Sequence, residues 1–190
     1  MENKYIALIF VTIIVIAGVG YFAYQDSQSK AYNNYLRKSD KLWLDARSSF
    51  TQINMENESS KTNILYVTDS IGFTDQAINY TQEMIKTAPD NSTKKFAQIR
   101  LEQYQESKKV MGLYLQIFEK LRSDGVDEAI KTAQTLENQL MASTQKLNSL
   151  QTQLIELVNS DPTLKDRLIK VLGKERVNEM LQEPGTTAAG

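Results

Sequence analysis

The sequence predicts an all-α protein: an N-terminal transmembrane helix, then an antiparallel up-down four-helix bundle with coiled-coil-like packing, then a short helical cap. Three observations carry that expectation. Helix breakers are scarce, with three prolines in 190 residues and only Gly72 and Gly112 between Gly20 and Gly125. Apolar residues recur at a spacing of about 3.5 to 3.6 over long stretches. No window shows the strict alternation around an Asn-Gly or Asp-Gly turn that a hairpin needs.

The first element is the anchor. After a short tail over residues 1–4, Tyr5 to Tyr24 reads YIALIFVTIIVIAGVGYFAY, an uncharged run whose only polar groups are Thr12 and the tyrosines. About twenty helical residues span about 30 Å, the thickness of a bilayer's hydrocarbon core. Tyr5 at one end and Tyr21, Phe22 and Tyr24 at the other suit the headgroup level. The competing reading is a cleaved signal peptide cut after Gly20 or Ala23. The run is longer than an ordinary signal h-region, and Tyr21 is bulky for a position just upstream of a cut, so a retained anchor is expected. No small residues are spaced for close transmembrane dimerisation, so oligomerisation through the lipid is not indicated.

Orientation divides the signals. Lys30, Arg37, Lys38 and Lys41 follow the run and would hold the C-terminal part inside. The remainder is rich in Ser, Thr, Asn and Gln and carries three glycan-acceptor triplets, at Asn57, Asn79 and Asn91. The expectation is an extracytoplasmic bundle, with a cytoplasm-facing adaptor as the alternative.

Residues 25–159 form the bundle, with helices expected at about 26–57, 60–88, 92–122 and 125–159. The first uses Tyr32, Leu36, Ser39, Trp43, Ala46, Phe50 and Ile53 as its apolar side. The second is capped by Ser59 or Ser60 and stops at Ala88-Pro89-Asp90. The third, capped by Asn91 or Ser92, runs to the Ser123-Asp124-Gly125 turn.

The fourth is the most regular: Val126, Ala129, Ala133, Leu136, Leu140, Ser143, Leu147, Leu150, Leu154 and Leu157 hold a and d positions of a coiled-coil seam. Its flanking positions, including Ile130, Thr144, Gln151 and Val158, are mostly neutral, so the seam belongs inside a bundle rather than in a homo-oligomeric zipper. Asp161-Pro162 opens a pair of short helices over 161–182, divided at Gly173. Residues 183–190, EPGTTAAG, are expected to be a disordered tail.

Composition excludes whole chemistries. The chain has no Cys and no His, which removes disulfides, thiol nucleophiles, thiolate or imidazole metal sites, His-ligated haem and every His-dependent triad. Basic and acidic residues number 22 and 23, and the pI is near 5.6, so there is no field to draw in nucleic acid. No phosphate-binding Gly-rich loop and no calcium loop is present. No catalytic residue, cofactor or metal is therefore assigned.

Two constellations stand out. In the second helix Ile64, Ile71, Ile78 and Ile85 repeat every seven residues, and Tyr66, Phe73 and Tyr80 repeat likewise, about 160° away around the helix. The isoleucines face the core; the aromatic stripe either wraps against a neighbouring helix or meets a protein partner. Gln103 and Ser107 in the third helix and Ser143 in the fourth fall where apolar residues are expected. They form a polar core layer that fixes register, with a small-ligand pocket as the alternative.

Together these features predict a non-catalytic, membrane-anchored interaction or scaffolding module with an unidentified protein partner. In layout alone it resembles the anchored helical sensor domains of chemoreceptors. A sensor or carrier of a small ligand is the second expectation.

Overall fold

The computed structural model describes residues 2–54 and 59–182, with side chains from residue 26 onward. Six helices and no strand occur among them: α1 (Glu2–Phe50), α2 (Ser60–Thr87), α3 (Asn91–Asp124), α4 (Val126–Ser160), α5 (Pro162–Leu172) and α6 (Lys174–Gln182). The expectations for Asn57 and for the tail over 183–190 lie outside the described residues. No helix among the described residues is long and apolar enough to cross a membrane. The run 5–24, which carries the membrane expectation, has a helical backbone within α1 but lies outside the residues whose side chains are described.

Local chemistry sets the boundaries. α1 stops at Phe50 rather than near Asn57, because the chain tightens there: Gln52 N donates to Ser49 O and Ile53 N to Phe50 O, at 3.2 and 3.3 Å. The buried Asn63 amide then holds both backbone groups of Asn54, accepting from its N–H and donating to its carbonyl, each at 3.1 Å. Ser59 caps α2 by accepting from Thr62 N. The cap of α3 is Asp90, not Asn91 or Ser92. Its carboxylate accepts from Thr93 N at 2.7 Å, and Thr93 Oγ1 accepts from Asp90 N at 3.3 Å. Asp161 caps α5 over Leu164 N at 3.0 Å, with Pro162 in the first helical position.

Two junctions consist of a single glycine. Gly125 (φ 89°, ψ −177°) joins α3 to α4, and Gly173 (φ 91°, ψ 152°) joins α5 to α6. Both lie in a region of backbone space that is nearly closed to residues with a Cβ. A methyl at Gly125 would meet no atom within 4 Å, so its cost is that of the backbone alone. Gly125→Ala is expected to lower stability by about 1–3 kcal/mol, read as an earlier urea midpoint.

Packing is four-helix-bundle-like: α1 lies along α2, α2 along α3 and α3 along α4. The direction alternates, because one core cluster joins the early part of α1 (Tyr32, Leu36), the end of α2 (Met84), the start of α3 (Phe96, Ala97, Ile99) and the end of α4 (Leu150, Leu154, Val158). Leu164, Leu168, Val171, Val177 and Met180 of α5 and α6 complete that cluster. The short helices lie against both α1 and α4 and so fill the fourth side of the bundle at this end. The second cluster, with Trp43, Ala46, Val67, Ala77, Tyr104, Met111 and Phe118, is built from α1, α2 and α3 without α4.

The packed side of α2 differs from the expectation of two opposed apolar faces. Its buried line is Asn63, Val67, Ser70, Thr74, Ala77, Thr81 and Met84, a strict alternation of four- and three-residue steps made mostly of small or hydroxylated side chains. The isoleucine and aromatic stripes flank this line, and both are half-buried. Small residues let the α1 and α2 backbones approach closely. Ser70 Oγ of α2 donates to Ala46 O of α1 at 2.7 Å, and Ser39 Oγ of α1 reaches Ala77 O at 3.3 Å and Thr81 Oγ1 at 2.7 Å.

Candidate functional site

The most chemically loaded part of the molecule is a buried polar network where α1, α3, α4 and α6 meet. Its centre is Asp40, 5% exposed, one position beyond Ser39 on α1. Arg176, the third residue of α6 after its glycine joint, grips Asp40 with Nε and Nη2, each at 2.8 Å. Such a fork-to-carboxylate pair is strong and directional. Arg100 of α3, 3% exposed, places Nη2 at 3.8 Å from the same carboxylate. It also donates to Gln103 Oε1 at 3.1 Å and to Tyr104 OH at 2.7 Å.

The network continues across α4. Gln103 Nε2 donates to Gln151 Oε1 at 2.9 Å, and Gln151 Nε2 donates to Met180 O at 2.9 Å on α6. The Arg100 guanidinium also lies over two aromatic rings, 4.7 Å from the Tyr104 centroid and 6.0 Å from that of Trp43. Burial pushes the Tyr104 hydroxyl up from its ordinary pKa, against the opposing pull of Arg100, and it stays a neutral partner. Two guanidinium groups and one carboxylate, with two amides and a phenol, hold one another in place.

A second, shallower group lies where α3 meets α4. Glu106 is paired with Lys146 of α4 at 3.1 Å and with Lys109 at 3.4 Å. Burial would raise its carboxyl pKa, but the nearby Ser143 hydroxyl together with Lys146 and Lys109 outweighs burial and holds it below the usual range. Ser143 is fully buried and its hydroxyl, though close to Glu106, makes no hydrogen bond of full geometry. A carboxyl lowered in the folded state adds stability above its unfolded pKa and loses it as the pH falls through the folded value. Urea midpoints should therefore fall more steeply on acidification for the native chain than for Glu106→Gln.

The expected site residues distribute as follows. Gln103, Ser107 and Ser143 are all buried, and Gln103 is joined to Arg100 and Gln151. Gln103→Leu would strand an Arg100 N–H and the Gln151 carbonyl. It is expected to cost about 1–3 kcal/mol, measured by urea unfolding. Of the aromatic stripe, Phe73 packs against the second core cluster. Tyr80 stacks on Tyr35 of α1, 6.1 Å between centroids, beneath the Lys38 ammonium at 5.1 Å. Tyr66 is half-buried, and Asn79 and Asn91 are exposed.

Asp40, Arg100, Gln151 and Arg176 were not anticipated. One signal was available. Arg100 stands on the buried line Thr93, Ala97, Arg100, Tyr104, Ser107 and Met111, where a charge inside a four-three repeat announces a buried partner. Gln103 and Tyr104 lie within one turn of it, but its carboxylate partner, Asp40, comes from 60 positions away, which no local spacing reveals. Among the described residues no group of three or more His, Cys, Asp or Glu side chains is placed to hold a metal ion.

Fold and network together define an all-α, bundle-like protein whose C-terminal helix pair is latched to α1 by a buried ion pair. Neither a protein-family model nor a curated protein nor a solved structure matches the chain.

Proposed function

We propose that the chain is a membrane-anchored helical module, displayed outside the cytoplasm, that binds or scaffolds other proteins of the cell envelope and is not an enzyme. The observation that carries this reading is the continuity of α1. One helix of 49 residues leads from the apolar run into the bundle. Tyr32, the first fully buried bundle residue, follows Tyr24 by only about 12 Å of helix. A run of membrane-spanning length joined without a break to a packed bundle is the layout of a tethered module. The buried charged groups engage one another, which supports a structural rather than a catalytic use of them.

Protease accessibility of the C-terminal part in intact cells tests the placement, and removal of residues 1–24 tests the tether. Cleavage in intact cells and release of the truncated chain from the membrane fraction are the expected results. A cytoplasm-facing adaptor is the second reading, favoured by Lys30, Arg37, Lys38 and Lys41 just after the run. Protection of the bundle in intact cells, with cleavage after lysis, would select it. Photocrosslinking from exposed bundle positions in cells tests whether the module engages partners at all.

A further inference from the structure

α4 carries two overlapping seams. Ala129, Leu136, Ser143 and Leu150 are buried on the side that lies along α3. The second seam steps by fours and threes through Val126, Ile130, Ala133, Glu137, Leu140, Thr144, Leu147, Gln151, Leu154 and Val158. Its C-terminal half is covered by this chain's own helices. Leu147, Gln151, Leu154 and Val158 are buried, Gln151 bonds the α6 backbone, and Leu154 and Val158 share a core cluster with α5 and α6.

Its N-terminal half is uncovered by the described residues. Val126 is 62% and Ile130 50% exposed, Ala133 and Leu140 are half-buried, and Met141 beside them is 54% exposed. Among the described residues, α6 meets α4 near Gln151 and reaches Gln182, and the covering goes no further along a seam that continues for about 30 Å.

We propose that the segment Val126 to Thr144 seats an amphipathic helix from another protein, which extends along α4 the interface that α6 begins. This rests on the interaction-module reading and names the chemistry of its partner. The partner presents an aliphatic stripe to Val126, Ile130, Ala133, Leu140 and Met141, with a Lys or Arg opposite Glu137, the exposed acid in the middle of the uncovered seam. A second copy of this chain is the poorer occupant. Two copies anchored in one membrane run parallel, and an in-register parallel seam would set Glu137 against its own equivalent.

The test uses the full chain in detergent micelles and two synthetic amphipathic helices with leucine at a and d, one with a central Lys and one with Glu there. Fluorescence anisotropy should show the Lys helix binding about fivefold tighter, and Glu137→Lys should reverse that preference. Ile130→Asp with Met141→Asp should weaken binding by about tenfold or more. Leu65→Asp, at an exposed apolar position on α2, should not. Unchanged Trp43 emission would establish that each variant is folded.

Equal binding of the two helices, or equal loss with Leu65→Asp, would overturn the proposal. So would self-association in sedimentation that Ile130→Asp abolishes, since that assigns the seam to a second copy. Partner crosslinks in cells from other bundle positions, with none from Ile130 or Met141, would sink this inference and leave the module reading standing; crosslinks from no position would sink both.

Discussion

Replacing Asp40 by alanine is expected to destabilise the protein by about 3–5 kcal/mol, the cost of leaving buried charge without its partner. Asp40 is the buried carboxylate that Arg176 grips and Arg100 approaches, so its loss removes the buried countercharge of two guanidinium groups in a poorly solvated interior. The single tryptophan, Trp43, is 4% exposed and lies beside Arg100, so its emission during urea unfolding reports the change directly. Arg176→Leu combined with Asp40→Leu should recover part of the loss, because replacing a whole buried pair by apolar groups is far cheaper than breaking it. A loss below about 1 kcal/mol for Asp40→Ala would mean that water reaches the network and that the latch contributes little. Amide exchange gives a local readout: α6 should exchange faster in the Asp40→Ala chain, with α2 much less affected.

Ala77→Leu is the second large effect, expected to cost about 1–3 kcal/mol or more through overpacking. Ala77 is fully buried on the side of α2 that meets α1, and its carbonyl accepts from both Ser39 Oγ and Thr81 Oγ1. Three added carbons would push apart backbones that are close enough for one helix's hydroxyls to bond the other helix's carbonyls. Ala77→Ser keeps the approach and should lie within about 1 kcal/mol of the native chain. The comparison of urea midpoints is decisive because a leucine here adds hydrophobicity at little cost in helix propensity, so a loss of stability reports the overpacking. A stabilised Ala77→Leu chain would show that the helices have room to separate.

That second case shows what spacing alone could not resolve. The isoleucine and aromatic repeats of α2 were legible, and read as opposite faces they implied contacts on two sides of the helix. The structure sets them as flanks of a buried line of Asn63, Ser70, Thr74, Ala77 and Thr81, residues that carry little hydrophobic signal. Hydrophobic periodicity locates large apolar groups. It is blind to a close-packed interface made of small ones, whose stability comes from contact at short range and from satisfied hydroxyls. The cap of α3 escapes apolar spacing for a related reason: Asp90 reads as part of the Pro89 turn, although its spacing from Thr93 makes a reciprocal cap.

The candidate network is legible in the sequence at one member, Gln103. Gln103, Ser107 and Ser143 are visible as polar breaks in apolar lines and all three are buried, but only Gln103 is joined to Arg100 and Gln151. Asp40 and Arg176 resemble ordinary surface charges, because Asp40 stands between Ser39 and Lys41 and Arg176 follows Lys174 and Glu175 in short charged runs. They become a pair only when α6 is laid across α1.

By itself the sequence determined an all-helical chain, the turns at Pro89, Gly125 and Pro162, the break at Gly173, the regular seam of α4, and the absence of any thiol or imidazole chemistry. These are local properties, written in breakers, caps and a repeat of three to four residues. Only the tertiary structure decided which neighbour each stripe meets. A four-three repeat fixes which residues seek burial, yet the same line on α4 serves α3 on one flank and α6 on the other. Among the described residues the length and position of α6 leave the remainder of that second seam uncovered, a matter of three-dimensional packing that no residue spacing contains.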